Sequence, residues 1–163
     1  WKLAMENTET PTALILSRQG IAKLPEGNDY EQADKGAYIV AGADERPDVI
    51  LVASGSEAST LVSGCEALRK DGIKVRVVSA PSEGLFRTQS KAYQEAVLPY
   101  DVKKFGMTAG LPVTLEGLVG IGPNSKVFGM PSFGFSAPYK VLDEKLGYTG
   151  ENVYRQVKAF LAE

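Results

Sequence analysis

Arg18 follows the apolar run Thr12-Ala13-Leu14-Ile15-Leu16-Ser17. That composition predicts a buried-type strand, with Arg18-Gln19-Gly20 at its carboxyl end. In open α/β sheets, ligands bind in the crevice outside the carboxyl ends of the strands. A guanidinium placed there can hold a phosphate or carboxylate through paired, charge-assisted hydrogen bonds. The plain alternative is a surface arginine in a solvated ion pair. A second candidate is the turn Ser54-Gly55-Ser56 at a predicted helix N-terminus, where free amides and the helix dipole favour an anion. It is neither a G-x-G-x-x-G nor a Walker loop, and a satisfied cap is the better account of it. Tyr93 and Tyr100 suit an aromatic surface or core packing, and Asp44-Glu45-Arg46 a solvated turn. The chain has no histidine, which excludes within it a Ser-His-Asp hydrolase, a Cys-His protease and the usual zinc sites.

The element that organises the chain runs from Asp48 to Pro81. Val49 to Ala53 is an unbroken apolar run, as a strand covered on both faces requires. Ser54-Gly55-Ser56-Glu57 matches a capping box. Leu61, Cys65 and Leu68 recur at helical spacing, with Val62 widening the stripe, and Lys70-Asp71-Gly72 stops the helix. Ile73, Val75, Val77 and Val78 make a second strand, parallel to the first through a crossover. This is a βαβ unit, and it sets an α/β class without setting a function.

Around it, Trp1 to Thr8 predicts the end of an amphipathic helix that Thr10-Pro11 breaks. Ile21 to Lys35 has no sustained period and reads as a linker. Gly36 to Ala41 predicts a strand, joined to the βαβ unit by a turn short enough for an antiparallel pair. Further on, helices are expected near Ser82–Phe86, Ser90–Leu98 and Leu111–Gly120, and strands at Lys103–Thr108 and Lys126–Met130. Ser136 and Pro138 would open a helix whose Val141, Leu142 and Leu146 face the core. A last helix carries Val153, Tyr154, Val157, Phe160 and Leu161. The sum is a three-layer α/β/α domain with a mixed, mostly parallel sheet of about five strands, the first antiparallel.

With 163 residues, 44% hydrophobic and 23% charged, the composition is globular and long enough for a sizeable core. A net charge of -2 points away from nucleic acid. A lone cysteine permits no disulfide framework and suits a reducing cytoplasm. No apolar run approaches the ~18 residues of a membrane span. The opening Trp1-Lys2-Leu3-Ala4-Met5 looks like mid-helix, so the sequence is expected to be a portion of something longer.

Four segments then resemble one family. Pro11 to Gln19, Asp48 to Glu57, Val77-Val78-Ser79-Ala80-Pro81 with Phe86 and Gln89, and Phe133 to Pro138 with Leu146-Gly147-Tyr148-Thr149 are similar, in order and spacing, to the C-terminal third of a transketolase. Two features depart from that pattern: Ser132 stands where many members have Arg, and residues 103–110 lack an acidic residue common near that strand. The resemblance implies a cytoplasmic, homodimeric thiamine-diphosphate enzyme with a divalent metal (Mg or Ca). Such an enzyme moves a two-carbon ketol unit between phosphorylated sugars in the pentose phosphate pathway. It also implies that the catalytic, cofactor and metal residues precede this region, and that Arg18 alone here touches substrate, through the sugar phosphate. The expected organisation is residues 1–24 as the end of the middle domain, 25–35 as linker and 36–163 as the C-terminal domain. By itself the chain is expected to bind no cofactor and to catalyse nothing. The alternatives are a related thiamine-diphosphate enzyme (a deoxyxylulose-phosphate synthase or a 2-oxoacid dehydrogenase β subunit) and a stand-alone module binding an anion or nucleotide at Ser54-Gly55-Ser56.

Overall fold

A computed structural model describes residues 1–17, 19–25 and 30–163. The central strand is β2 (Val49–Ala53), every residue of which is buried. It pairs in parallel with β3 (Val75–Ser79) on one side and β4 (Lys103–Met107) on the other. A strand hydrogen-bonded on both edges and covered on both faces has no polar surface to offer, hence its wholly apolar sequence. Beyond β4 lies β5 (Ser125–Phe128), also parallel, and beyond β3 lies β1 (Tyr38–Ala41), antiparallel. The five-stranded order is β1-β3-β2-β4-β5.

The orientation of β1 is as its sequence implies, but its neighbour is not the strand that follows it. The crossover helix delivers β3 to that edge of β2 first, and β1 takes the outer edge of β3 instead. At Gly42 the chain passes against the start of β3: a side chain there would meet the Val75 carbonyl oxygen at 2.2 Å, and φ is +75°. Only glycine permits that approach.

Alternation along the strands separates two cores. Val49, Leu51, Val77, Phe105 and Met107 face α2 (Glu57–Lys70) and α7 (Gly150–Ala162), which contribute Leu61, Cys65, Leu68, Val153, Val157 and Phe160. Ile50, Val52 and Val78 face the other way, onto Phe86 of α3 (Glu83–Thr88), Val97 of α4 (Lys91–Val97) and Leu115 and Val119 of α5 (Val113–Val119). The result is the expected three-layer domain.

Several local expectations are corrected. The Ser54 capping box does not form. Gly55 adopts φ +65° and delays the helix, so Ser56 becomes the N-cap and donates its hydroxyl to Glu57 Oε1 at 3.2 Å. Ser136 does not cap α6 (Tyr139–Leu146), whose N-cap is Pro138. None of the residues of α6 is buried: Val141 is exposed, and Leu142 and Leu146 are half-buried. Within the expected linker, Tyr30–Lys35 forms a 3₁₀ helix. Lys2–Glu6 is helical (α1), as the sequence predicts. Residues 12–17 form no strand and are exposed, because a strand needs a neighbour for its amides and carbonyls, and no strand lies beside them among the described residues. No helix among the described residues is long and apolar enough to cross a membrane.

Candidate functional site

Arg18, the residue singled out for substrate, lies outside the described residues, whereas its neighbour Gln19 is half-buried. Gln19, Gly20, Ile21 and Ala22 form one wall of a cavity of about 340 Å³. The cavity opens beyond the carboxyl ends of β2 and β4, where α/β sheets hold their ligands. Ser56, Glu57, Ser59 and Thr60 from the first turns of α2 form a second wall, and Tyr139, Leu142 and Asp143 of α6 a third. Tyr148 stands between them. Its hydroxyl donates to the Thr108 carbonyl at 2.8 Å, and its ring packs edge-on to Phe128 with centroids 5.3 Å apart.

The electrostatics of this cavity are acidic. Burial raises the Glu57 carboxyl above its ordinary value, against smaller downward pulls from its own amide and the Ser56 hydroxyl, and the Asp143 charge raises it further. Burial likewise raises Asp143. Tyr148 is raised first by burial and then by the Glu57 charge. Ser59 Oγ is spent on the Ser56 carbonyl at 2.8 Å. The Ser54-Gly55-Ser56 turn is therefore answered from within the chain: an anion entering there would meet the Glu57 carboxylate. Carboxylates and hydroxyls of this kind can hold sugar or backbone donors, and the described lining residues include no cation for a phosphate.

Neither nucleophilic nor metal chemistry is assembled among the described residues. Cys65 is buried, with its thiol donating to the Leu61 carbonyl at 3.2 Å and pushed by burial up to about 11. At neutral pH it is a small apolar side chain. No group of three or more His, Cys, Asp or Glu residues could hold a metal ion among the described residues. The donor set that lines this cavity does not fit a divalent metal. Of the other candidates, Tyr93 donates to the Ala37 carbonyl at 2.9 Å and belongs to the packing, while Tyr100 is exposed. In the Asp44-Glu45-Arg46 turn, Glu45 pairs with Lys74 at 3.0 Å and Arg46 with Asp101.

Sequence reading missed Asp143, Tyr148 and the buried Lys104 of β4. Glu57 was noticed only as a cap. For Lys104 and Asp143 the available signal is a charged residue among apolar ones, which periodicity treats as noise; Tyr148 carries no such signal.

The family described as Transketolase-like TK C-terminal domain matches residues 36–149. Transketolase 2 of Vibrio vulnificus (strain CMCP6) is 43% identical over 165 aligned residues, covering 99% of this chain and 24% of the relative. A transketolase of Halalkalibacterium halodurans is 42% identical, again over 99% of this chain and 24% of its own length. Among solved structures, Pichia stipitis transketolase in complex with sedoheptulose 7-phosphate superposes with a TM-score of 0.86 at 33% identity, covering 99% of this chain and 23% of that one. The chain thus spans about a quarter of the length of the curated relatives it matches.

Proposed function

The chain belongs to the transketolase family, in which it corresponds to the C-terminal domain, and from that premise we propose that it serves a thiamine-diphosphate enzyme transferring a two-carbon ketol unit between phosphorylated sugars. The observation that carries this reading is identity of 43% sustained over 99% of the chain with a relative named transketolase. The activity belongs to the pentose phosphate pathway and to a cytoplasmic homodimer.

Residues 1–24 end the preceding middle domain, 25–35 link it, and 36–163 form the C-terminal domain. A family match that begins at residue 36 supports that boundary. Arg18 receives the sugar phosphate as a bidentate, always-charged donor. The resemblance of Ser17-Arg18-Gln19 to the family supports this role. Thiamine diphosphate and its Mg or Ca supply the chemistry of ketol transfer and are held by other parts of the enzyme.

The test is isothermal calorimetry of the 163-residue chain with thiamine diphosphate and Mg²⁺, beside a ketol-transfer assay, with a full-length relative as positive control. No binding heat and no turnover are expected from the chain. Cofactor binding by the chain would contradict the reading.

A further inference from the structure

A second cavity, about 730 Å³ and larger than the one lined by Glu57 and Asp143, lies at the amino ends of β4 and β5, between α3–α4 and α5. Lys104 reaches it from β4 and is only 8% exposed. Its ammonium donates to the carbonyls of Tyr100 at 3.2 Å and Val102 at 3.1 Å. An ammonium carries three hydrogens, so one is left over. No carboxylate pairs with Lys104 among the described residues. The two whose charges reach it, Glu95 and Asp101, are engaged elsewhere: Glu95 accepts the Tyr100 amide at 3.1 Å, and Asp101 pairs with Arg46. Glu95 lines the cavity too, so its charge acts on Lys104 from a distance, but the hydrogen bonds of this buried cation go only to neutral carbonyls, which is costly, and an approaching anion relieves that cost.

Lys91, exposed on α4, lines the same cavity and has no side-chain partner among the described residues. Arg87 on the rim is already committed, to Glu83 at 2.6 Å and the Gly117 carbonyl at 2.8 Å. Phe86, Leu98 and Val119 provide an apolar wall, and the volume falls in the range of small-molecule sites.

We propose that this cavity binds a small organic phosphate, with its phosphoryl oxygens on Lys104 and Lys91 and its carbon body against the apolar wall. Two available ammonium groups match a group carrying about -1.5 to -2 charge at neutral pH better than they match a single carboxylate.

The test is an NMR titration of the ¹⁵N-labelled 163-residue chain at constant ionic strength with inorganic phosphate, phenyl phosphate and benzoate. Saturable shifts are expected at the amides of Lys91, Lys104, residues 120–122, Asn124 and Ser125. Phenyl phosphate should bind tighter than inorganic phosphate, and benzoate weakest. K91E alters an exposed residue, so it should leave Tm unchanged while weakening phenyl phosphate about tenfold or more, as loss of a charge-assisted contact does. K104M should remove the shifts. The proposal is overturned if phenyl phosphate gives no saturable shifts, if benzoate binds as tightly, or if K91E binds like the parent.

Discussion

Arg76 is a buried cation with no carboxylate paired to it among the described residues. Its guanidinium donates instead to the carbonyls of Ala96 (2.8 Å), Val97 (3.3 Å), Glu45 (3.4 Å) and Gly42 (3.4 Å). It ties the end of α4 and the β1–β2 connection to β3, through donors fanned in a plane that no other side chain supplies. Arg76→Ala should lower stability by about 2–3 kcal/mol, by stranding buried carbonyls. Arg76→Lys should recover part of this, and denaturant midpoints measure both. The Glu57 carboxyl makes a prediction of opposite character. Burial raises it in the native state, so the folded chain holds that proton more tightly than the unfolded chain. The resulting stability is complete below the ordinary carboxylate value and is lost as pH rises through the elevated native one. Glu57→Gln should therefore flatten this fall, gaining on the parent between mildly acid and neutral pH. Parallel Tm–pH curves for the two proteins would contradict it. Neither residue declares itself in the sequence: Arg76 interrupts a strand as a surface residue would, and its partners are carbonyls contributed by distant segments.

At the scale of elements, α2 and α7 approach closely because small residues meet where they cross. A side chain added at Gly64 would lie 2.7 Å from Val153 Cγ1 and 3.0 Å from the Gly150 carbonyl. Gly64→Ala should cost about 1–3 kcal/mol by overpacking. Gly84, in α3, has nothing within 4 Å of such a carbon. Gly84→Ala should be neutral or stabilising by up to about 1 kcal/mol. Thermal unfolding of the pair separates close packing from helix propensity. The βαβ unit was legible because strand, helix and stop each carry a local signal: β-branched apolar runs, spacing at Leu61, Cys65 and Leu68, and Gly72, whose amide closes on the Arg69 carbonyl at 2.9 Å. The neighbour of β1 was not legible, since pairing across a sheet depends on where a distant helix delivers its strand. The start of α2 was misread because Ser54 and Glu57 have capping-box spacing, while the left-handed turn at Gly55 decides where the helix begins. Similarly, the apolar positions of α6 have helical spacing, but Leu142 and Leu146 line a cavity rather than fill a core.

Across the whole molecule, exposed large apolar side chains are spread over several segments, two of which lie near Arg18 in the sequence or beside Gln19 in the structure. Leu14, Ile15 and Leu16 are exposed, as are Phe133 and Phe135 in the loop before α6. The first of these segments flanks Arg18 and the second lines the same cavity as Gln19. Contiguous exposed aromatic and aliphatic groups mark contact surfaces, and these two segments are where the proposed function places such a surface. The most direct measurement is steady-state kinetics of the full-length enzyme with Arg18→Ala, comparing a phosphorylated acceptor with an unphosphorylated one. The expected result is a raised KM for the phosphorylated acceptor alone, equivalent to about 1.5–3 kcal/mol for a lost charge-assisted contact. An unchanged KM, or an equal loss with both acceptors, would contradict the role given to Arg18.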